Sequence, residues 1–307
     1  MNILVTGGAG FIGSHVVDEL IRLGHNVMIA DNLVRGNEAN INTKAHFELI
    51  DVRSHEIEVL FESFKPEIVY HFAAQISVQS SMENPLHDAD VNILGTLRIL
   101  EACAKHKVRK IIYPSSAAIY GSPEQLPIEE NDRKNGESNY ALSKYFPEKY
   151  IELFSKIYGM EYTILRYSNV YGPRQSHVGE GGVISIFMDN FINRTDSIIY
   201  GDGEQTRDFI YIKDVVKANI QCLTRGRNTI YNISSMSRTS INELYRLFCS
   251  IFEVSKVPVY RAQKQGEVKH SILDNGKAIS ELDWYPEYNV EKGLLDTIEA
   301  VDNKLYN

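Results

Sequence analysis

Three side chains suited to acid–base chemistry on an alcohol lie in the middle of the chain. Tyr140 and Lys144 are four residues apart, so they share a face if their segment is helical. Ser116 ends the apolar run that precedes this segment. A phenol has an unperturbed pKa of about 10, and a nearby ammonium lowers it by favouring the phenolate. The trio predicts a tyrosine base, a serine that binds or relays a proton, and a nicotinamide that takes a hydride.

The tyrosine–lysine spacing is not specific by itself, because it occurs four times in a chain with 18 tyrosines. Only Tyr140 opens a long helical pattern that follows a strand ending in Ser115 and Ser116. The carboxyl edge of a parallel sheet, where that strand ends, is where doubly wound folds bind ligands. We interpret the remaining pairs as surface residues: Tyr145–Lys149, Tyr260–Lys264 and Tyr288–Lys292.

A glycine-rich turn near the start of the chain has the pattern of a dinucleotide site. Gly7, Gly10 and Gly13 lie between an apolar run and a helical pattern. Glycines there let the backbone approach a pyrophosphate, and the helix N-terminus offers free N–H groups to it. Asp31 ends the second predicted strand, where it can accept hydrogen bonds from ribose hydroxyls. Its charge would repel a 2′-phosphate, so we expect NAD rather than NADP, with Arg35 a solvated loop residue.

The elements that must position these residues alternate between strands and helices. Apolar strand-like runs separated by helical patterns indicate βαβ units, and hence a parallel sheet. We therefore predict an α/β fold, a doubly wound parallel Rossmann sheet with a smaller α/β substrate-binding domain. The predicted strands are 2–5, 27–30, 47–50, 68–72, 110–113 and 162–167, and the predicted helices are 11–23, 85–106 and 138–158.

The second half of the chain is less regular. Residues 186–191 and 241–252 have helical patterns, and 208–214 and 229–234 contain strand-like runs that could rejoin the sheet. The predicted NAD-binding domain therefore comprises 1–167 and 208–236. The predicted substrate-binding domain comprises 168–207 and 237–307.

Bulk properties narrow the function classes. The formal net charge of −8 makes nucleic acid an unsuitable partner, and the chain has no apolar run long enough to span a membrane. The N-terminal residues lack the pattern of a signal peptide. Three scattered cysteines indicate reduced thiols and a cytoplasmic protein, with no metal centre expected: Cys103, Cys222 and Cys249.

Beyond these local patterns, the whole chain resembles the extended short-chain dehydrogenase/reductase family, and within it the nucleotide-sugar epimerases. The resemblance implies NAD as cofactor, a UDP-linked sugar as substrate and Ser116, Tyr140 and Lys144 as the catalytic residues. The blocks that carry it are TGGAGFIGSH, DNL, HFAAQ, VNILGT, PSSAAIYG, YALSK, RYSNVYGPRQ and GDGEQTRDFIYIKDV.

The resemblance also assigns residues to the cofactor. Asn92 corresponds to an asparagine behind the nicotinamide, and Tyr140 and Lys144 also contact NAD. Asp51 would meet the adenine, although a charge at a helix N-terminus is an equal alternative for it. The other implied cofactor contacts are Gly7, Gly10, Phe11, Ile12, Asp31, Asn32, Val52, Phe72, Ala73, Ala74 and Tyr167.

A further set of residues is implied for the nucleotide-sugar. Arg207 would meet the diphosphate, or else form a salt bridge with Asp208 or Asp214. Lys264 stands where the family commonly has arginine, and it keeps the charge but loses the bidentate geometry. The remaining implied substrate contacts are Ser116, Asn169, Val183, Tyr200, Glu267 and Ser271.

The resemblance implies a homodimer through the helices predicted at 85–106 and 138–158. Pro147 lies inside the second of these, where it removes a backbone N–H and should kink the helix.

The predicted reaction starts with oxidation at the sugar C4. Family 4,6-dehydratases carry two acidic residues directly after the serine or threonine, where this chain has Ala117 and Ala118. Uronate decarboxylases typically carry a glutamate before an aromatic–glycine pair, and here Ile119 precedes Tyr120. The absence of these acids favours inversion at C4 through a 4-keto sugar. The alternatives are another reaction of the same family, including uronate epimerisation, and a non-catalytic NAD-binding sensor.

The C2 substituent of the sugar is implied to border Ser271. A bulky tyrosine there would leave room for a hydroxyl alone, whereas a small serine leaves room for an N-acetyl group. We therefore expect activity on N-acetylated UDP-hexoses as well as on the plain UDP-glucose and UDP-galactose pair.

Overall fold

A computed structural model describes residues 1–176, 182–263 and 268–305. The strands are β1 (Asn2–Thr6), β2 (Asn26–Asp31), β3 (His46–Leu49), β4 (Ile68–His71), β5 (Lys110–Ser116), β6 (Glu161–Tyr167), β7 (Asn169–Tyr171), β8 (Ile198–Tyr200), β9 (Thr206–Arg207), β10 (Phe209–Tyr211), β11 (Thr229–Ile233), β12 (Thr239–Ser240) and β13 (Val259–Arg261). The helices are α1 (Phe11–Arg22), α2 (Glu56–Phe64), α3 (Val78–Glu83), α4 (Pro85–Ala89), α5 (Gly95–Lys105), α6 (Asn139–Tyr158), α7 (Val183–Ile192), α8 (Ile212–Gln221), α9 (Ile241–Ile251), α10 (Gly276–Leu282) and α11 (Val290–Leu305).

The main sheet of the described chain has seven parallel strands in the order β11-β6-β5-β4-β1-β2-β3. Successive side chains of β1, an interior strand of this sheet, enter two separate apolar cores, with Ile3 and Val5 in one and Leu4 in the other. A strand covered on both faces needs a continuous apolar run, which is what the sequence supplies. The α/β fold with a doubly wound parallel sheet is therefore confirmed.

The helix predicted at 85–106 is broken into parts. It consists of α4, a π-helical segment at Asp90–Leu94 and α5. A π-helical turn widens the backbone spiral and often marks a functional site. Here it contains Asn92, whose carbonyl accepts a hydrogen bond from the Thr96 hydroxyl at 2.6 Å.

Helix α6 runs without interruption through Pro147. The Ser138 side chain caps its start by accepting from the Ala141 N–H at 3.1 Å, and Gly159 ends it at a φ of 73°. The inner face of the helix carries Lys144 and Glu148 into the protein. Its outer face carries a row of exposed apolar side chains: Leu142, Phe146, Tyr150, Leu153 and Ile157.

The second half of the chain forms small strand pairs around α7 and α9. Aromatic rings join these two helices, with Phe187 meeting Phe248 edge-on at 5.9 Å between centroids. Of the two runs that could rejoin the main sheet, β11 does so. The expectation that the run at 208–214 rejoins the main sheet was wrong, because β10 pairs with β7 in a separate two-stranded sheet. The reason is that β11 already occupies the free edge of β6.

Candidate active site

Ser116, Tyr140 and Lys144 come together at the carboxyl edge of the main sheet. Ser116 is the last residue of β5, and its side chain accepts the Ala118 N–H at 3.2 Å, which starts a 3₁₀ turn at Ala117–Tyr120. Tyr140 lies in the first turn of α6, and its hydroxyl is hydrogen-bonded with Ser116. Lys144 follows one turn later on the buried face. The arrangement brings a phenol, a hydroxyl and an ammonium to one end of the sheet.

The pKa of Tyr140 is raised in the protein without cofactor, and its lowering by Lys144 together with the positive nicotinamide stays a prediction. Burial raises the pKa of Tyr140, the hydrogen bond with Ser116 acts to lower it, and the charge of Asp88 acts to raise it. Burial dominates because it disfavours the charged phenolate. A phenolate base at this position therefore needs further positive charge from whatever binds beside it.

Lys144 is enclosed, with 4% of its surface exposed. Its ammonium lies 4.5 Å from the centre of the Tyr113 ring, a distance that suits a cation–π contact. Burial lowers the pKa of Lys144 to about 8, while the charges of Glu148 and Asp88 act in the opposite direction. Lys144 is therefore protonated at neutral pH but loses its charge at a modestly alkaline pH.

A buried hydrogen-bond network lies behind this trio. The Asn92 amide donates to the Ser143 hydroxyl at 2.9 Å and to the Gln75 carbonyl at 2.9 Å, and its oxygen accepts the Gln75 N–H at 2.8 Å. The Gln75 side chain donates to Asp88 at 2.6 Å, and Asn92 also lies 3.3 Å from that carboxylate. Gln75 and Asp88 were not predicted as members of the site. The four-residue spacing of Asp88 and Asn92 was the available signal.

The glycine turn fits a pyrophosphate. Gly7 has a φ of +69°, and a Cβ there would lie 2.6 Å from the Ala73 nitrogen. A Cβ on Gly13 would lie 2.3 Å from the Gly7 oxygen, so only glycine lets α1 begin so close to the loop. Gly10 is the N-cap of α1, and among the described residues no side chain caps that helix or adds negative charge to its first turn. The first-turn N–H groups therefore suit an anion.

Asp31 and its neighbours complete this edge. Its carboxylate accepts the Ala9 N–H at 3.0 Å and the Leu33 N–H at 2.9 Å, which fixes the side chain at the end of β2. Asn32 donates to Asp51 at 2.9 Å. Arg35, on the following loop, is exposed as expected.

The two interpretations of Asp51 were a contact with adenine and a charge at a helix N-terminus. Its carboxylate instead pairs with Arg53 at 2.7 Å, and the hydrogen bonds from Arg53 hold the pKa of Asp51 far below its usual value. Helix α2 begins after His55. A contact with adenine stays a prediction, now for a carboxylate that is already paired.

The remaining cofactor candidates line the same edge in different ways. Phe72 and the two alanines after it are partly buried, and Ala73 donates its N–H to Thr6 at 3.2 Å. The hydroxyl of Tyr167 is directed to Asn219, at 2.7 Å from its nitrogen. Phe11 and Ile12 begin α1, and Val52 is buried three residues beyond β3.

The hydroxyl of Ser115 is a second feature that fits a bound group. It is buried, and among the described residues its oxygen has no hydrogen-bond partner. A buried hydroxyl without a partner costs free energy unless a ligand or water satisfies it. Ser115 immediately precedes Ser116 on β5.

The substrate candidates gather around β9. Thr206 forms a parallel bridge with His270, so the residues after each, Arg207 and Ser271, are neighbours. Asp208 lies beyond them, fully buried, and accepts hydrogen bonds from Ser168, Ser235 and Leu273.

Burial raises the pKa of Asp208 to about 6. The carboxylate of Asp214 accepts the N–H groups of Glu287 and Tyr288. Asp208 and Asp214 were the alternatives for a salt bridge with Arg207. Both carboxylates accept hydrogen bonds from other residues.

Other substrate candidates are more dispersed. Asn169 starts β7 and bonds the Asp208 carbonyl at 2.9 Å. Val183 opens α7, and Tyr200 ends β8, where its carbonyl accepts from Gln205 at 2.8 Å. Lys264 and Glu267 lie outside the described residues.

The other tyrosine–lysine pairs have surface geometry where they are described. Lys149 lies 5.4 Å from the Tyr145 ring and pairs with Glu152, and Lys292 lies 4.1 Å from the Tyr288 ring. The fourth pair ends at Lys264, outside the part of the chain that the structure describes.

Among helices of the described residues, none is both long and apolar enough to cross a membrane. In the same part of the chain, histidine, cysteine and carboxylate side chains form no group that could hold a metal ion.

Comparisons with known proteins agree with this geometry. The model of the NAD dependent epimerase/dehydratase family matches residues 3–234. A putative UDP-glucose 4-epimerase of Methanocaldococcus jannaschii is 47% identical over 302 residues, covering 98% of both chains. A UDP-glucose 4-epimerase of Thermotoga maritima, solved with UDP-glucose, superposes with a TM-score of 0.97 at 44% identity, covering 99% of this chain and 100% of that one.

A relative that is named for a different reaction also matches this chain. A UDP-N-acetyl-alpha-D-glucosaminuronate decarboxylase of Bacillus cytotoxicus is 34% identical over 315 residues, covering 96% of both chains. The names of these relatives therefore describe two different reactions on UDP-linked sugars.

Proposed function

The chain belongs to the NAD-dependent epimerase/dehydratase family of extended short-chain dehydrogenases, and on that premise we propose that it inverts the C4 hydroxyl of a UDP-hexose. NAD is the cofactor, as the family match indicates. The observation that carries the proposal is the meeting of Ser116, Tyr140 and Lys144 at the sheet edge, with alanines directly after the serine.

The chemistry assigns a task to each member of the trio. Tyr140 takes the proton of the C4 hydroxyl and returns it after the 4-keto sugar has presented its other face. Ser116 bonds the same oxygen, and its hydrogen bond with Tyr140 keeps the two hydroxyls together. The Lys144 ammonium favours the phenolate by its charge. Bound NAD supplies the hydride acceptor and donor at C4, and its positive ring offsets the effect of burial on Tyr140.

Protein groups at the sheet edge would hold the cofactor. The N–H groups at the start of α1 suit the pyrophosphate, and Asp31 suits the ribose hydroxyls. Asn92 would act on the nicotinamide side through the segment that it supports, because its amide is already bonded to Gln75 and Ser143.

The choice of epimerisation over other family reactions depends on the residues directly after Ser116. A 4,6-dehydratase requires an acid and a base beside C5 and C6, and Ala117 and Ala118 offer neither. The partly buried turn that contains them leaves only the backbone and methyl groups there. Uronate decarboxylases of the family typically carry a glutamate in the same segment, and this chain has none there. Epimerisation needs only oxidation, rotation and reduction.

We assign the diphosphate of the substrate to Arg207 and the sugar C2 substituent to Ser271. Their adjacency through the Thr206–His270 bridge supports this, because a sugar is linked directly to its diphosphate. A small serine at this position favours the N-acetylated pair in addition to UDP-glucose and UDP-galactose. Asn169, Val183 and Tyr200 are proposed contacts to the nucleotide-sugar, together with Lys264 and Glu267. We propose 1–167 with 208–236 as the NAD-binding domain and the rest as the sugar-binding domain.

We further propose a homodimer formed through the outer face of α6. Five large apolar side chains on that face are exposed at spacings of four, four, three and four residues. Isolated monomers rarely expose such a contiguous stripe. Leu94, at the end of the π-helical segment, is also exposed. A cytoplasmic location and a role in galactose metabolism complete the proposal, and the three free cysteines support the former.

The decisive experiment is to incubate the purified protein with UDP-galactose and to analyse the products by chromatography. We expect UDP-glucose, with transient absorbance of reduced nicotinamide. Parallel incubations with GDP- and dTDP-sugars test the nucleotide base. Bound NAD that is never reduced by any of these sugars would instead support the sensor interpretation and contradict the proposal.

A further inference from the structure

Among the described residues, the buried ammonium of Lys144 forms no direct ion pair with a carboxylate. Glu148, one turn further along α6, is held by Arg166 through two hydrogen bonds of 2.7 and 3.0 Å. Glu148 nevertheless raises the pKa of Lys144 more than Asp88 does, although its carboxylate is already paired. A buried ammonium requires a compensating negative charge, because burial removes its hydration. A second carboxylate contributes to this compensation.

Asp88 is the candidate. It lies at the end of α4, with 1% of its surface exposed, and its described partners are the neutral amides of Gln75 and Asn92. Both amides meet the same oxygen, Oδ1. Among the described residues, these amides orient the carboxylate, and no cationic side chain pairs with it.

Hydrogen bonds connect Asp88 with the turn of α6 that carries Tyr140 and Lys144. Asn92 lies 3.3 Å from the Asp88 oxygen and 2.9 Å from the hydroxyl of Ser143, the residue before Lys144. Ser143 in turn donates to the Tyr140 carbonyl at 3.1 Å. One amide therefore separates Asp88 from the turn of α6 that carries both Tyr140 and Lys144.

Other titratable groups that face Lys144 do not offer an alternative. His71, at the end of β4, is neutral, because burial and the Lys144 charge lower its pKa to about 3. Tyr113, on β5, presents its ring to the ammonium, and burial raises its pKa well above 10. The carboxylate nearest to Asp88 along the chain, Asp90, is partly exposed and paired with Arg53 at 2.7 Å.

We propose that Asp88 is a positioning residue whose buried charge balances Lys144 and sets the pH range in which Tyr140 and Lys144 hold the protonation states that the reaction needs. This inference rests on the proposed function for its kinetic consequence, but its electrostatic content is independent of the substrate. The Asp88 charge raises the pKa of both Tyr140 and Lys144. Removal of the charge therefore moves both titrations to lower pH.

The test is Asp88→Asn, which keeps an acceptor oxygen for Gln75 and Asn92 and removes the charge. The Lys144 titration is followed by NMR in the cofactor-containing protein labelled with ¹³C at lysine Cε, and its signal is assigned by its loss in Lys144→Arg. We expect the midpoint to fall by about one pH unit, the scale of a single charge at intermediate distance in a protein. Asp90→Asn is the matched control and should leave the midpoint unchanged.

The kinetic arm measures kcat/KM against pH. Both limbs should move to lower pH in Asp88→Asn, because the base loses its proton and the lysine loses its charge at lower pH. If Asp88→Asn does not fold, Asp88→Thr removes the same charge and should shift the titration in the same direction. An unchanged Lys144 midpoint in a folded neutral variant overturns the inference. Wild-type protein without epimerase activity overturns the proposed function instead, and the NMR titration still decides the role of Asp88.

Discussion

Arg166 on β6 and Glu148 on α6 form a bidentate ion pair that is closed off from solvent, with 1% and 0% of their side chains exposed. The remaining guanidinium nitrogen donates to the Tyr120 hydroxyl and the Glu130 carbonyl, both at 2.8 Å. The pair therefore ties the helix that carries Tyr140 and Lys144 to the strand beside it. It holds the site together one turn beyond the catalytic candidates.

Glu148→Gln should destabilise the protein by about 3–5 kcal/mol, because it leaves the Arg166 charge buried without its counter-ion. The measurement is urea unfolding of wild type and variant, each prepared with the same cofactor content. Glu19→Gln, which breaks the exposed pair with Arg22, is the control and should leave the unfolding midpoint nearly unchanged. A loss below about 1 kcal/mol in Glu148→Gln would show that the pair is not what fixes α6.

Tyr140→Phe should lower turnover by about 10²–10⁴-fold, the contribution of a general base, while the variant still carries NAD. Steady-state epimerase assays and the absorbance of cofactor released on denaturation provide the two readouts. Tyr145→Phe is a matched control, because Tyr145 has the same spacing to a lysine on the same helix but contacts Lys149 at its ring. Near-normal turnover in Tyr140→Phe would remove the base assignment.

The cofactor released from wild-type protein should be NAD(H) rather than NADP(H). Asp31 is fixed at the end of β2 by two backbone N–H groups, and its charge repels a 2′-phosphate. Asp31→Asn should therefore increase the affinity for NADP relative to NAD, measured by titration of cofactor-depleted protein. Glu38→Gln, at an exposed carboxylate on the loop after β2, serves as the control for loss of charge. Release of mainly NADP(H) from wild type would mean that attraction of the 2′-phosphate by Arg35 exceeds its repulsion by Asp31.

Phe146→Glu and Leu153→Glu should convert the dimer to monomer, because each places a charge on the exposed apolar row of α6. Size-exclusion chromatography with light scattering gives the molecular mass. Val257→Glu is the control, since Val257 is 85% exposed and lies outside that row. A wild-type monomer, or dimers that persist in both variants, would contradict an interface on α6.

Ser271→Tyr should remove activity mainly on UDP-N-acetylglucosamine and UDP-N-acetylgalactosamine. Extra atoms in a filled site cost about 1–3 kcal/mol, which corresponds to roughly a tenfold to hundredfold loss. Assays of wild type and variant on plain and acetylated substrates distinguish a selective loss from a general loss of activity. Ser250→Tyr, at an exposed position of α9, is the control. If wild type uses only the plain pair, or if Ser271→Tyr loses both activities equally, Ser271 does not select the substituent.

Several features of this protein can be predicted from the sequence alone, because they depend on residues that are close along the chain. The apolar runs predicted the strands of a parallel sheet, and β1 through β6 lie where they were expected to within a few residues. The glycine spacing predicted the turn before α1, since a Cβ at Gly7 or Gly13 would collide with backbone. The spacing of Tyr140 and Lys144 predicted one helix face.

Other features were decided by tertiary structure, because they depend on contacts between distant segments and on burial. Asn92 meets Ser143 across 51 residues of sequence, and no local pattern records that contact. The rise in the Tyr140 pKa comes mainly from burial, which no residue spacing could predict. β10 pairs with β7 and not with the main sheet, because β11 occupies the free edge of β6. Which of the two runs takes that edge is decided only when the sheet is assembled. Periodicity specifies elements, whereas the packing of those elements sets the charges and partners of the site.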